Sequence, residues 1–273
     1  MASRIPVTSA DLRAAIERLD LAGKPVCIHS SLRSFGAVQG GAQSVIDAFI
    51  NASCTVLVPT FSSGFAVPPT AWTPLRNGWH YDHPGGASDG PGRIFTAKSN
   101  DIDRDMGAIP ERVLASPGRI RGEHPLCSFA AIGPLAQDLV TPQTHDDVMA
   151  PLRVLAEQAG VVLTMGVGLT SVTLLHLAEE MAERALFVRW ANDNEGQPVE
   201  VRTGGCSEGF DRLEEVVEPF AARYIVGTSE WTRYDAAPAL IAAAQAIRES
   251  PEITHCGRDD CERCNDAVLG GPI

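Results

Sequence analysis

The sequence predicts an α/β layered fold built as one domain. Three observations carry this. Short apolar strands alternate with amphipathic helical stretches along the chain. No internal repeat or low-complexity linker interrupts them. A length of 273 residues, 44% hydrophobic and 21% charged, is enough to bury a large core.

The elements follow in order. SADLRAAIERLDL (Ser9 to Leu21) reads as an amphipathic helix capped by Ser9, with Leu12, Ile16 and Leu19 on one side. PVCIH (Pro25 to His29) is a short buried strand. GGAQSVIDAFI (Gly40 to Ile50) is a helix entered through glycines, and TVLVP (Thr55 to Pro59) the next buried strand. Thr60 to Ser99, rich in Pro, Gly and aromatics, reads as a long functional loop. A short helix is expected over Ile109 to Ala115 and a strand over Leu126 to Ile132. Next come a helix over Leu152 to Ala159, a strand over Gly160 to Val167, and a helix over Val172 to Arg184 that carries His176. Two late helices are expected over Phe210 to Ala222 and Ala237 to Ser250. The domain is drawn over residues 1–250, with a cysteine-rich tail, residues 251–273, packed on it.

Several function classes are disfavoured. MASRIPVTSADLRAAIERLD has no apolar stretch of the signal-peptide kind. No apolar run approaches the roughly 18 residues needed to span a bilayer. A cytoplasmic protein with reduced cysteines is expected. The net charge of -12 argues against nucleic acid, which needs a basic footprint. It suits a small cationic partner, because an acidic surface concentrates cations.

Three places can carry chemistry. In HSSLRSFGAVQGG a strand ends at His29, two hydroxyls follow, and glycines lead into a helix near Gly41. Backbone N–H groups at such a helix start can cradle phosphate; the alternative is a tight turn that needs glycine. In MGAIPERVLASPGRIRGEHPLCSFAAIG, Arg119 and Arg121 can hold an anionic tail, or form a solvated turn beside His124. In LTMGVGLTSVTLLHLAE, glycines end a buried strand and His176 follows on a helix. It is either a base at the mouth of a crevice or a satisfied core histidine.

The tail, THCGRDDCERCND, holds Cys256, Cys261 and Cys264 spaced C-x4-C-x2-C. In a reducing compartment such a cluster is a metal candidate more than a disulfide framework. A structural zinc takes four ligands, and Cys206 in GGCS is the preferred fourth, ahead of His255.

Taken together, these segments resemble one family. HSSLRSFGAVQGGAQSVIDAFI, MGAIPERVLASPGRIRGEHPLCSFAAIG, LTMGVGLTSVTLLHLAE, GGCSEGFDRLEEVVEPF and VGTSEWTRYDAAPALIAAA are similar, in this order, to motifs of the aminoglycoside 3-N-acetyltransferase family. The resemblance runs over roughly residues 5 to 250. It implies an α/β/α sandwich around a mixed sheet, distinct from the GCN5-type acetyltransferase fold. It implies acetyl-CoA as the donor and a small cationic amine as acceptor, typically the 3-amine of a 2-deoxystreptamine aminoglycoside. His29, Ser30, Ser31, Leu32, Arg33, Ser34, Phe35, Gly36, Gly40 and Gly41 fall on the family's coenzyme-binding region, and His176 on its amine-activating histidine.

Alongside that resemblance, Thr173 is a candidate oxyanion donor, and Glu208, Glu179 and Asp211 are candidate carboxylate partners of His176, with Glu208 preferred. Trp72, Trp79, Tyr81 and Asp82 are expected to shape the acceptor pocket. Antibiotic-modifying members carry an acidic run where this chain reads RTGGCSEGF. Two other readings therefore stay open: transfer to a non-antibiotic amine, and a silent coenzyme-A-binding protein. A serine hydrolase using Ser30 or Ser31 with His176 is disfavoured, since neither serine sits in a G-x-S-x-G elbow. A monomer or homodimer is expected.

Overall fold

The computed structural model of the chain describes residues 5–69, 73–78 and 92–273. Helix α1 spans Ser9–Arg18, but its cap is Thr8, not Ser9. The Thr8 hydroxyl accepts the Asp11 N–H at 3.3 Å while the Asp11 carboxylate accepts the Thr8 N–H at 2.8 Å. This reciprocal box satisfies two otherwise orphaned donors, which Ser9 one residue later cannot do. Strand β1 (Pro25–Ser30), helix α2 (Gly41–Asn51) and strand β2 (Thr55–Pro59) follow as expected. After the long irregular stretch come α3 (Ala108–Leu114), β3 (Ile120–Arg121), β4 (Phe129–Ile132), α4 (Ala136–Val140), α5 (Ala150–Glu157), β5 (Val161–Met165) and α6 (Leu174–Met181).

Strand β3 and helix α4 were not expected, Leu126 and Cys127 form a turn ahead of β4 rather than its first residues, and two longer stretches also depart from expectation. A hairpin of β6 (Phe187–Asn192) and β7 (Pro198–Thr203) follows α6. Its turn is built on Asp193, whose carboxylate accepts the Glu195 and Gln197 N–H groups at 2.8 Å each. Phe210 to Ala222 is not one helix. It is a 3-10 turn, then α7 (Glu214–Val217), then a second 3-10 turn opened by Glu218 and Pro219. Proline cannot donate to the helix ladder and disfavours helical backbone before it. The chain leaves as strand β8 (Ala221–Val226) and returns as β9 (Ser229–Asp235), before α8 (Ala236–Glu249) and α9 (Glu262–Val268).

The main sheet has the order β3-β4-β2-β1-β5-β9-β8. Strands β2, β1 and β5 are parallel; β4 and β9 flank them antiparallel. Side chains alternate between the two faces, as the strand period requires. Val26, Ile28, Val56, Val58, Leu163 and Met165 join a core with α1, α2 and α3. Cys27, Leu57, Phe129 and Val162 join a second core with α4, α5, α6 and α8. Helices thus cover both faces, making an α/β/α sandwich around a mixed sheet. Both faces of β1, β2 and β5 are buried, which is why they read as unbroken apolar runs. No helix among the described residues is long and apolar enough to cross a membrane.

Candidate active site

A cleft of about 990 Å³ opens beyond the carboxyl ends of β1, β2 and β5, the usual place for ligands on an open α/β sheet. One wall is the segment after β1: Ser30, Ser31, Leu32, Arg33 and Gly36, with Gly41 at the start of α2. The opposite wall is Thr170 to Thr173 and His176. The residues after the long loop, Arg104, Asp105, Met106 and Gly107, close a third side.

His176 sits on the first turn of α6, with its side chain 11% exposed. Its Nδ1 donates to Glu179 Oε2 at 2.8 Å. The spacing of three residues on a helix places both groups on one face. The other carboxylate oxygen, Oε1, accepts from Arg184 Nη1 at 2.8 Å and from the Thr254 hydroxyl at 3.3 Å. Arg184 also donates to the Thr254 hydroxyl at 2.6 Å and to the Pro251 carbonyl. Burying three ionisable side chains is tolerable because each finds a partner. The ring packs edge-on against Phe210, centroids 4.8 Å apart. Gly204 lies over it so closely that a Cβ there would stand 2.6 Å from His176 Cδ2. Nδ1 is taken by the carboxylate, which leaves Nε2 as the other ring nitrogen of a residue that lines the cleft.

The remaining expected site residues divide. His29 lines the cleft but is 4% exposed, and burial pushes its pKa down to about 4, so it is neutral there. Ser34, Phe35 and Gly40 do not line the cleft. The Ser34 hydroxyl bonds the Ser31 carbonyl and the Ser229 hydroxyl, Phe35 is core against Trp231, and Gly40 supplies the left-handed residue (φ 78°) that opens α2. Thr173 lines the cleft one turn before His176. Glu208 is not the partner of His176; it lines a separate, smaller cavity beside Cys206, because the chain after Gly205 turns toward the tail. Trp72, Trp79, Tyr81 and Asp82 lie outside the described residues.

Arg119 and Arg121 do not line the cleft and are engaged by backbone carbonyls. Arg119 donates to the carbonyls of Leu114, Ala97, Lys98 and Ser99 at 2.6–3.1 Å. Arg121 is buried and donates to the carbonyls of Thr60, Ser99 and Asp101 at 2.8–2.9 Å, with its plane over Phe95. Both strap the 97–101 segment to the sheet. The arginines that do line the cleft are Arg33 and Arg104. His124 is structural: its Nδ1 accepts the Leu126 and Cys127 N–H groups, its Nε2 donates to the Arg202 carbonyl at 2.8 Å, and burial pushes its pKa down to about 4.

A family model described as aminoglycoside 3-N-acetyltransferase matches residues 27–250. The chain belongs to the aminoglycoside 3-N-acetyltransferase family. The aminoglycoside N(3)-acetyltransferase VIII of Streptomyces fradiae is 34% identical over 188 residues, 65% of this chain and 62% of that protein. The match thus spans less than two thirds of that relative's length. A histidine-to-alanine variant of aminoglycoside acetyltransferase AAC(3)-IVa, solved in complex with a gentamicin, shares the fold at a TM-score of 0.78 and 22% identity, over 99% of this chain and 100% of that one. AAC-IIIb, solved as a binary complex with CoASH, does so at 0.71 and 21%, over 90% and 97%. The sandwich is that of the AAC(3) enzymes and not of the GCN5-type acetyltransferases.

For this member of the aminoglycoside 3-N-acetyltransferase family, sequence reasoning missed Arg104, Asp105 and Met106 as cleft residues. The run RDMG before α3 gives no composition signal; the strand order alone brings it beside β1. The cysteines Cys206, Cys256, Cys261 and Cys264 lie together, all four sulfurs within 4.8 Å of one another. His255 is turned away from them, its ring held between the Gly257 N–H and Asn265 Oδ1.

Proposed function

We propose that the protein is an acetyl-CoA-dependent N-acetyltransferase acting on a small cationic amine of the aminoglycoside kind, with His176 as general base. One observation carries the reading: His176, paired with the buried Glu179, lines the cleft at the ends of the parallel strands. The family and the names of the relatives support the chemistry. Bound acetyl-CoA supplies the acetyl thioester. The residues present fit such a molecule: Arg33 and Arg104 flank the cleft, and α2 turns its N-terminal end there at Gly41, all favourable to phosphate.

The chain's own groups then do three things. Asp105 and Glu111, the carboxylates among the cleft residues, attract the protonated acceptor. His176 Nε2 takes a proton from the attacking amine, and Glu179 stabilises the imidazolium that results. The Thr173 hydroxyl and the backbone N–H groups lining the cleft are placed to stabilise the developing oxyanion. No covalent acetyl-enzyme is required, and Cys27, the cysteine nearest His29, is kept protonated by burial.

The test is His176→Ala. Thiol release from acetyl-CoA is followed with a panel of amines that includes aminoglycosides. Turnover should fall by about 10²–10⁴ while fold and acetyl-CoA affinity hold. Retention of more than roughly one-tenth of parental turnover would remove the base assignment. Release without any amine would point to thioester hydrolysis instead.

A further inference from the structure

Outside the cleft, four cysteines form a cluster of potential metal ligands among the described residues. Cys206 follows β7, and the other three come from the tail. A tetrahedral zinc tetrathiolate, with Zn–S bonds of about 2.3 Å, sets its sulfurs about 3.8 Å apart. The four sulfurs here, within 4.8 Å of one another, need contract little to meet that figure. At that spacing they are too close together to enclose an iron–sulfur cage.

The surroundings suit a metal thiolate. Cys261 precedes α9 and Cys264 lies in its first turn, so a C-x2-C pair is presented by one helix start. The Cys256 N–H donates to Cys264 Sγ at 3.3 Å. The Arg258 guanidinium reaches the Cys256 and Cys261 sulfurs and offers counter-charge to a dianionic centre. His255, the competing ligand in the sequence, already has both ring nitrogens bonded elsewhere.

We propose that Cys206, Cys256, Cys261 and Cys264 form a structural zinc site that clamps the active-site histidine from two sides. Cys206 stands two residues after Gly204, which covers the His176 ring. Cys256 stands two residues after Thr254, whose hydroxyl bonds both Glu179 and Arg184. A metal joining Cys206 to Cys256 therefore ties the cover of the imidazole to the support of its carboxylate. All four positions are filled by protein, so the ion is closed to substrate and takes no part in the chemistry. The clamp rests on the reading of His176 as base; the metal site itself does not, and its test needs no substrate.

The full chain is purified under reducing conditions without chelator or metal-affinity resin, and its metal is measured by mass spectrometry. About one zinc per chain is expected. Exchange with cobalt should give the thiolate charge-transfer and intense visible bands of a tetrahedral tetrathiolate. Cys206→Ser should lower metal affinity at least tenfold, while Cys127→Ser, outside the cluster, should keep one equivalent. If Cys206→Ser does not fold, the parent's metal content and cobalt spectrum decide alone. Metal below roughly one-tenth of an equivalent with no cobalt spectrum, or a mass showing disulfides among these cysteines, overturns the site. Iron in place of zinc overturns the choice of metal. For the clamp, metal removal should lower amine-dependent turnover at least tenfold with acetyl-CoA affinity unchanged; unaltered turnover overturns it.

Discussion

Glu179→Gln tests the site at its most constrained atom. The substitution keeps the shape and one acceptor oxygen. Arg184 has only donors to offer, and its Nη1 stands 2.8 Å from Glu179 Oε1. The Thr254 hydroxyl is on the same side at 3.3 Å. The amide oxygen of the glutamine must therefore face Arg184, and its NH2 group must face His176 Nδ1. Nδ1 then becomes an acceptor, the ring proton moves to Nε2, and the lone pair is lost from the atom that serves the cleft. In a histidine–carboxylate pair with the tautomer reversed in this way, turnover falls by about 10⁴, or about 5 kcal/mol of barrier. Folding stability should also fall, by about 3 kcal/mol, because the buried Arg184 loses its counter-charge. Steady-state thiol release gives the turnover, calorimetry the acetyl-CoA affinity, and 15N shifts of the imidazole the tautomer. A folded variant that keeps more than roughly one-tenth of parental kcat, or whose imidazole keeps its proton on Nδ1, refutes the argument.

Gly204→Ala places a methyl 2.6 Å from His176 Cδ2 and 2.8 Å from Nε2. Overpacking of this kind costs about 1–3 kcal/mol, and the displaced ring should lower kcat about 10²-fold with acetyl-CoA affinity unchanged. Unchanged kinetics would show that the ring yields freely. His29 and His124 predict an acid limit on stability. Both are held near pKa 4 by burial, against 6.5 in the unfolded chain. Between those values the unfolded state binds the protons the folded state refuses, so stability falls as pH drops through this window. From pH 7 to pH 5 the loss should be about 2 kcal/mol for each histidine. Urea midpoints that stay constant from pH 7 to 5 would contradict it.

The parallel centre of the sheet was legible because β1, β2 and β5 are apolar on both faces and short. The antiparallel flanks were not. Strand β8, AARYIV, is mostly half-buried and alternates weakly, and the acidic run before it mimics a helix start until Pro219 ends it. The turn at Asp193 lies in NDNEGQP, a run of turn-forming residues, so this hairpin was signalled in composition and not read. At the site, a strand end and a helix start made His176 a candidate, and the family resemblance rather than this framing favoured it over a core histidine. The preference for Glu208 as its carboxylate was wrong, since Glu179, Glu208 and Asp211 all offer a carboxylate and the sequence gives no distances between them. The fold separates them: Glu179 shares the helical face, and Glu208 turns away with the tail. Arg119 and Arg121 misled for a related reason. A guanidinium looks the same in sequence whether it meets a phosphate or a row of backbone carbonyls.

That row of carbonyls has an evolutionary consequence. Arg119 and Arg121 grip the 97–101 segment chiefly by main-chain oxygen, an atom every residue possesses. The side chains of Ala97 and Lys98 are therefore no part of the anchor. Mutation can exchange them without releasing the chain that leads into Arg104 and Asp105 at the cleft. A chain built this way can vary the composition of its rim while the rim keeps its place.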